Sequence, residues 1–99
     1  MTDTLDLRFA RASTFEPLVG GEFVSGDPEA SFLLVDVTQL TSQPHAPRAD
    51  PFVLTFVGVP GLAQRIYELD HPSLGRLELF LVPIGPGPDG RARYEAVFN

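Results

Sequence analysis

The stretch Ile66-Tyr67-Glu68-Leu69-Asp70-His71-Pro72-Ser73-Leu74-Gly75-Arg76-Leu77-Glu78-Leu79-Phe80-Leu81-Val82 holds two period-two runs on either side of a short turn. Tyr67 and Leu69 alternate with Ile66, Glu68 and Asp70. Beyond the turn, Leu77, Leu79 and Leu81 alternate with Glu78, Phe80 and Val82. A strand turns successive side chains to opposite faces, so both runs read as strands. Between them Pro72 fixes its own φ and Gly75 supplies a permissive backbone. A connection this short joins antiparallel neighbours, because a parallel crossover takes a dozen residues or more.

The same period extends outward. Leu33, Val35 and Val37 alternate with Phe32, Leu34 and Asp36; Phe52, Leu54 and Phe56 with Val53, Thr55 and Val57; Tyr94, Ala96 and Phe98 with Arg93, Glu95 and Val97. A further strand is expected over residues 22–25, turned by Gly26-Asp27-Pro28. The spacing predicts an all-β fold of about six antiparallel strands, a meander or small barrel, with a short N-terminal helix. That helix is expected over residues 15–19, capped by Thr14, with Glu16 in its first turn and Gly20-Gly21 at its end. Before it, Leu5, Phe9 and Ala12 fit a helical stripe, while Leu5, Leu7 and Phe9 fit a strand; both stay open. Residues 41–50, with Pro44, His45, Pro47 and Arg48, and residues 85–90, Gly-Pro-Gly-Pro-Asp-Gly, read as loops. The last run is expected to pair with Leu77 through Leu81 across the second loop, making Phe98 a core residue.

Ninety-nine residues allow one domain, spanning 1–99. Cysteine is absent, which excludes disulfides, thiolate metal sites and a cysteine nucleophile. All seven cations are arginine, which excludes lysine Schiff-base chemistry and a Walker-type phosphate loop. The net charge of −6 and the scatter of the arginines argue against nucleic acid. Arg91 and Arg93 come closest to a basic patch, and Asp89 and Glu95 flank them. No apolar run approaches the roughly 20 residues of a membrane span. Residues 1–6 lack the basic and apolar regions of a signal peptide, so the default location is the cytoplasm, with export by a route that has no readable address left open.

His71 is the most tempting chemical group. It follows Asp70, stands near Glu68 and opens a turn, so a carboxylate could raise its pKa toward general-base use. Against that stands a ring packed at a strand end or bonded to the turn. His45 reads as a solvated loop residue. No histidine pair has ligand spacing, and Ser73 is two residues from His71, where side chains seldom meet in attack geometry. No cofactor, metal or catalytic residue is expected.

The second sheet face is the more informative feature. With Phe52, Leu54, Phe56, Leu77, Leu79, Leu81, Tyr94, Ala96 and Phe98 turned inward, Val53, Val57, Phe80, Val82 and Val97 turn outward, joined by Phe32 and Ile66. A solvated face would be polar. These seven residues are therefore the candidate contacts for another protein or a second copy of the chain. The competing reading covers part of this face with Leu5, Phe9, Phe15 and Leu18 from the N-terminal segment.

Residues 66–85, the closing Tyr94-Glu95-Ala96-Val97-Phe98-Asn99, Pro51-Phe52, and Phe15, Pro17, Leu18, Gly20 and Phe23 together resemble a family of small bacterial proteins described as a domain of unknown function. The family has no assigned reaction, so it transfers no catalytic residue. The resemblance implies association with proteins that bear a phage-tail-collar-like domain. The expectation is a non-enzymatic interaction or accessory module, for a collar-like fibre or surface protein. The alternative is a small-ligand-binding or catalytic β-barrel with His71 and nearby carboxylates at its mouth.

Overall fold

The period-two runs become six strands: β1 Glu22–Gly26, β2 Glu29–Gln39, β3 Phe52–Val57, β4 Arg65–His71, β5 Gly75–Pro86 and β6 Ala92–Phe98. The computed structural model describes residues 4–40 and 51–99; the loop expected over residues 41–50, with His45, lies outside them. The strands close into an antiparallel barrel in the order β1-β2-β3-β6-β5-β4, with β4 returning to pair β1. It is therefore two three-stranded meanders joined by one crossover between β3 and β4. The β1–β2 hairpin turns at Asp27-Pro28, with Gly26 opposite Glu29, and the β4–β5 hairpin turns at residues 72–74, with His71 opposite Gly75.

The last strand pairs with β5 across the second loop, as expected, and Phe98 is a core residue, but the partner stretch of β5 is a different one and a second neighbour is added. β6 lies between β3 and β5: Phe52 faces Phe98 on one side, and Val82 through Pro86 face Glu95 through Ala92 on the other. The Leu77–Leu81 part of β5 is instead taken up along β4, from Leu69 to Arg65. The neighbour β3 could not be read from local turns, because its pairing with β6 closes about forty residues of intervening chain.

Two tyrosines hold the crossover. The buried Tyr94 ring sends its hydroxyl to the end of the barrel, where it donates to Val59 O at 2.6 Å and accepts from Leu62 N–H at 3.1 Å. The Tyr67 hydroxyl donates to Ala63 O. Each ring fills core volume while its polar tip satisfies loop backbone that no ladder reaches.

The core is largely aromatic. Phe32 meets Phe56, Tyr67 and Tyr94 edge-on at 6.3, 5.3 and 5.5 Å between ring centroids. At the other end Phe52 stacks on Phe98 at 4.4 Å, and Phe15 leans on both at 5.9 and 5.8 Å. Phe15 belongs to the N-terminal helix, α1, which spans Ala12–Phe15 and runs into a 3-10 turn at Glu16–Leu18. The helix thus begins three residues earlier than the sequence suggested. Thr14 is inside it, its hydroxyl accepting from Arg11 N–H at 3.0 Å. The segment before it is neither of the two forms considered. Thr4 bridges β5 at Arg76, and a 3-10 turn follows at Leu7–Phe9, capped by Asp6 through Arg8 N–H.

Candidate functional site

Of the seven outward candidates, two are corrected by the structure. Phe32 is fully buried in the core. β2 carries a register shift between Leu34 and Asp36, so its inward residues, Phe32, Leu34 and Val37, do not keep one alternation. Val57 is only 7% exposed, set between Leu33 on β2 and Arg93 on β6. Val53 and Val82 are half-buried. Ile66, Phe80 and Val97 are 56%, 51% and 47% exposed, which is far more than apolar side chains of a sealed face would show.

These residues form a row around the barrel. Ile66 stands directly opposite Phe80 across β4 and β5, and Val97 directly opposite Val53 across β6 and β3. Between Phe80 and Val97 the ladder is interrupted, since β5–β6 pairing runs only from Val82 to Pro86. The splayed strands leave a cleft of about 560 Å³ lined by Leu5, Ile66, Phe80 and Val97, with Asp6 and Glu78 among its polar residues. Leu5 enters this cleft, donating its N–H to Arg76 O at 2.7 Å. The sequence had no signal for that contact, because a single bridge has no periodicity.

The N-terminal segment does not seal the face. Phe15 goes into the core, Leu5 and Leu18 pack at its edge, and Phe9 is 77% exposed. The row therefore keeps its apolar surface beside the segment expected to cover it.

His71 and its carboxylates are not brought together. On β4, Leu69 and His71 face inward while Glu68 and Asp70 face out, as strand alternation requires. Asp70 and Glu68 instead hold Arg76, at 3.3 and 3.5 Å. The His71 ring lies 4.6 Å from that of Phe23, and its Nδ1 accepts from Ser73 N–H at 3.0 Å. That bond puts the proton of the neutral ring on Nε2. Nε2 is also close to Gly21, where a Cβ would lie 3.3 Å away. Among the described residues no group of three histidines or carboxylates is placed to hold a metal ion, and no helix is long and apolar enough to cross a membrane.

Burial holds the His71 imidazole below its ordinary pKa. The unfolded chain therefore takes up a proton first as pH falls. The stabilisation by the neutral ring is complete above about pH 6.5 and is lost as pH drops from there through the folded-state value. His71→Gln should flatten stability across that window while costing about 1 kcal/mol at neutral pH. Asp6 and Asp89, whose pKa values are depressed chiefly by bonds from Arg8 and Arg91, act only at lower pH. Urea melts of both proteins between about pH 5 and 8 check this; parallel profiles would show that His71 is not the group responsible.

Residues 10–98 match the family described as "Domain of unknown function (DUF6916)". Neither a curated protein nor a solved structure matches the chain.

Proposed function

From a chain that belongs to DUF6916, a family described only as a domain of unknown function, we propose a non-enzymatic interaction module that grips a partner protein through the apolar row. The observation that carries this reading is the half-exposed Phe80–Ile66 pair with Val97 across an open cleft. A phenylalanine, an isoleucine and a valine grouped on an outer sheet face lose apolar surface when a partner covers them. The partner class is a fibre or surface protein bearing a phage-tail-collar-like domain; support for that class comes from the family likeness alone, carried by residues 66–85 and 94–99 with Pro51-Phe52, Phe15, Pro17, Leu18, Gly20 and Phe23.

Co-expression with a collar-domain protein, using the parent and Phe80→Asp side by side, tests the proposal. The parent should co-elute with the partner and the variant should not. Because Phe80 is half-exposed, its replacement should cost about 1–2 kcal/mol, which a domain with about 5–15 kcal/mol in total can bear, so both proteins remain folded. Sedimentation velocity of each protein alone separates self-association from binding to another chain. Equal co-elution of both proteins, or a parent that stays monomeric and captures nothing that Phe80→Asp fails to capture, would sink the reading.

A further inference from the structure

The β5–β6 register slips between Pro83 and Gly85, and there the hairpin meets the turn that follows β3. Between them lies a groove of about 610 Å³ lined by Pro60, Pro83, Pro86, Tyr94, Arg91 and Arg93. Its body is apolar, made by the exposed rings of Pro60, Pro83 and Pro86 beside the buried Tyr94. Backbone forms part of its lining: a Cβ on Gly58 would come within 3.1–3.2 Å of the Phe32 and Tyr94 rings.

Arginine supplies the charge here. Arg91 Nε and Arg93 Nη2 both lie 3.8 Å from the same Asp89 carboxylate oxygen, beyond hydrogen-bond length. Arg93 Nε is buried and has no acceptor among the described residues. A buried cationic donor without an acceptor is unfavourable. Yet the hairpin is shaped around it. A Cβ on Gly87 would overlap Arg93 Nε and lie 2.5 Å from Cζ, so the turn packs directly over Nε, and any side chain at that position would displace the arginine. The Arg93 side chain is only 25% exposed, so part of its ordering precedes any ligand.

We propose that this groove binds an acidic peptide segment of a partner protein, an Asp or Glu flanked by an apolar residue. The carboxylate sits on the Arg93 guanidinium with Arg91 beside it, and the apolar neighbour lies against Pro60, Pro83 and Pro86. A guanidinium receives a carboxylate through parallel N–H bonds, which a lysine could not reproduce. Two arginines here face Asp89, with Glu95 two residues along the same face of β6, so in a chain of net charge −6 the preference for a carboxylate rests on the guanidinium geometry and not on a surplus of positive charge. The lining comes from both the hairpin and the turn after β3, giving contacts on two sides of an extended segment. The site is separate from the apolar row: Arg93 is four residues from Val97 on β6, roughly 13 Å along the strand. Either can fail without the other.

Titration of the ¹⁵N-labelled protein with the blocked tripeptide acetyl-Leu-Glu-Phe-amide, and with its Gln counterpart, tests the inference. The Glu peptide should shift the amides of Gly58, Gly85, Gly87 and Arg93 with a Kd of about 1 mM or tighter, and the Gln peptide should bind at least about tenfold more weakly. Arg93→Gln should abolish the difference between the peptides while its remaining amide spectrum stays that of the folded barrel. Asp89→Asn, which removes the competing carboxylate, should tighten binding of the Glu peptide, a gain that damage to the fold cannot mimic. Equal affinity for the two peptides, shifts confined to other strands, or unchanged binding by Arg93→Gln would overturn it.

Discussion

Phe32→Ala should lose about 3–5 kcal/mol of stability, the usual cost of truncating a buried phenylalanine and leaving a cavity behind. The ring is fully buried and touches Phe56, Tyr67 and Tyr94 at once, so no single neighbour can move in to fill the space. It also supports the crossover, since the Gly58 backbone is packed onto its edge. Losing that floor loosens the turn whose carbonyl Tyr94 holds. A domain of this size has about 5–15 kcal/mol in total, so the variant should be marginal or unfolded at room temperature. Phe32→Leu keeps most of the volume and should lose clearly less. Urea melts of the three proteins decide the matter through their midpoints. A Phe32→Ala variant that melts with the parent would place the ring on the outer face after all, where the alternation of β2 had put it.

That contrast shows where period-two reading works and where it stops. In β3, β4, β5 and β6 the alternation gave the inward set, and Phe52, Leu54, Phe56, Tyr67, Leu69, Leu77, Leu79, Leu81, Tyr94, Ala96 and Phe98 are all buried. In β2 every residue from Phe32 to Val35 is apolar, so the run contains no polar marker of the outer face, and the register shift before Asp36 breaks the phase again. The separation of His71 from Asp70 was legible, because neighbours on a strand point apart. The exposed row was legible in Ile66, Phe80 and Val97, since each is an apolar residue in a polar phase. The groove beside Arg93 was not. It depends on Gly87 lying over a guanidinium and on the turn after β3 coming back to the hairpin, and neither contact leaves a pattern in the chain. The pairing of β6 with β3 was hidden for the same reason, while turn chemistry did show that β4 and β5 form a hairpin.

The second large effect is expected at the final strand. Phe98→Ala should also lose about 3–5 kcal/mol, although the residue is next to the last. Chain ends usually fray, but this one is paired with β3, and Phe98 is only 8% exposed. Its ring stacks on Phe52 with planes 10° apart, and Phe15 of α1 closes the group from below. The truncation therefore has a reach beyond its own strand: α1 is four residues long, has no stability of its own, and is held by the burial of Phe15 against these two rings. Phe15→Ala should be destabilising as well, and the double variant should fall short of the sum by about 0.5–1.5 kcal/mol, the part of the loss that the aromatic pair shares. Asn99→Ala, one residue further, is exposed and should be mild. Amide exchange gives an independent reading. Residues 94–98 should exchange as slowly as β3 in the parent, and the amides of α1 should speed up together with them in Phe98→Ala. Fast exchange of residues 94–98 in the intact protein, or additive losses for Phe15 and Phe98, would mean that the last strand and the helix are held by something other than each other's rings.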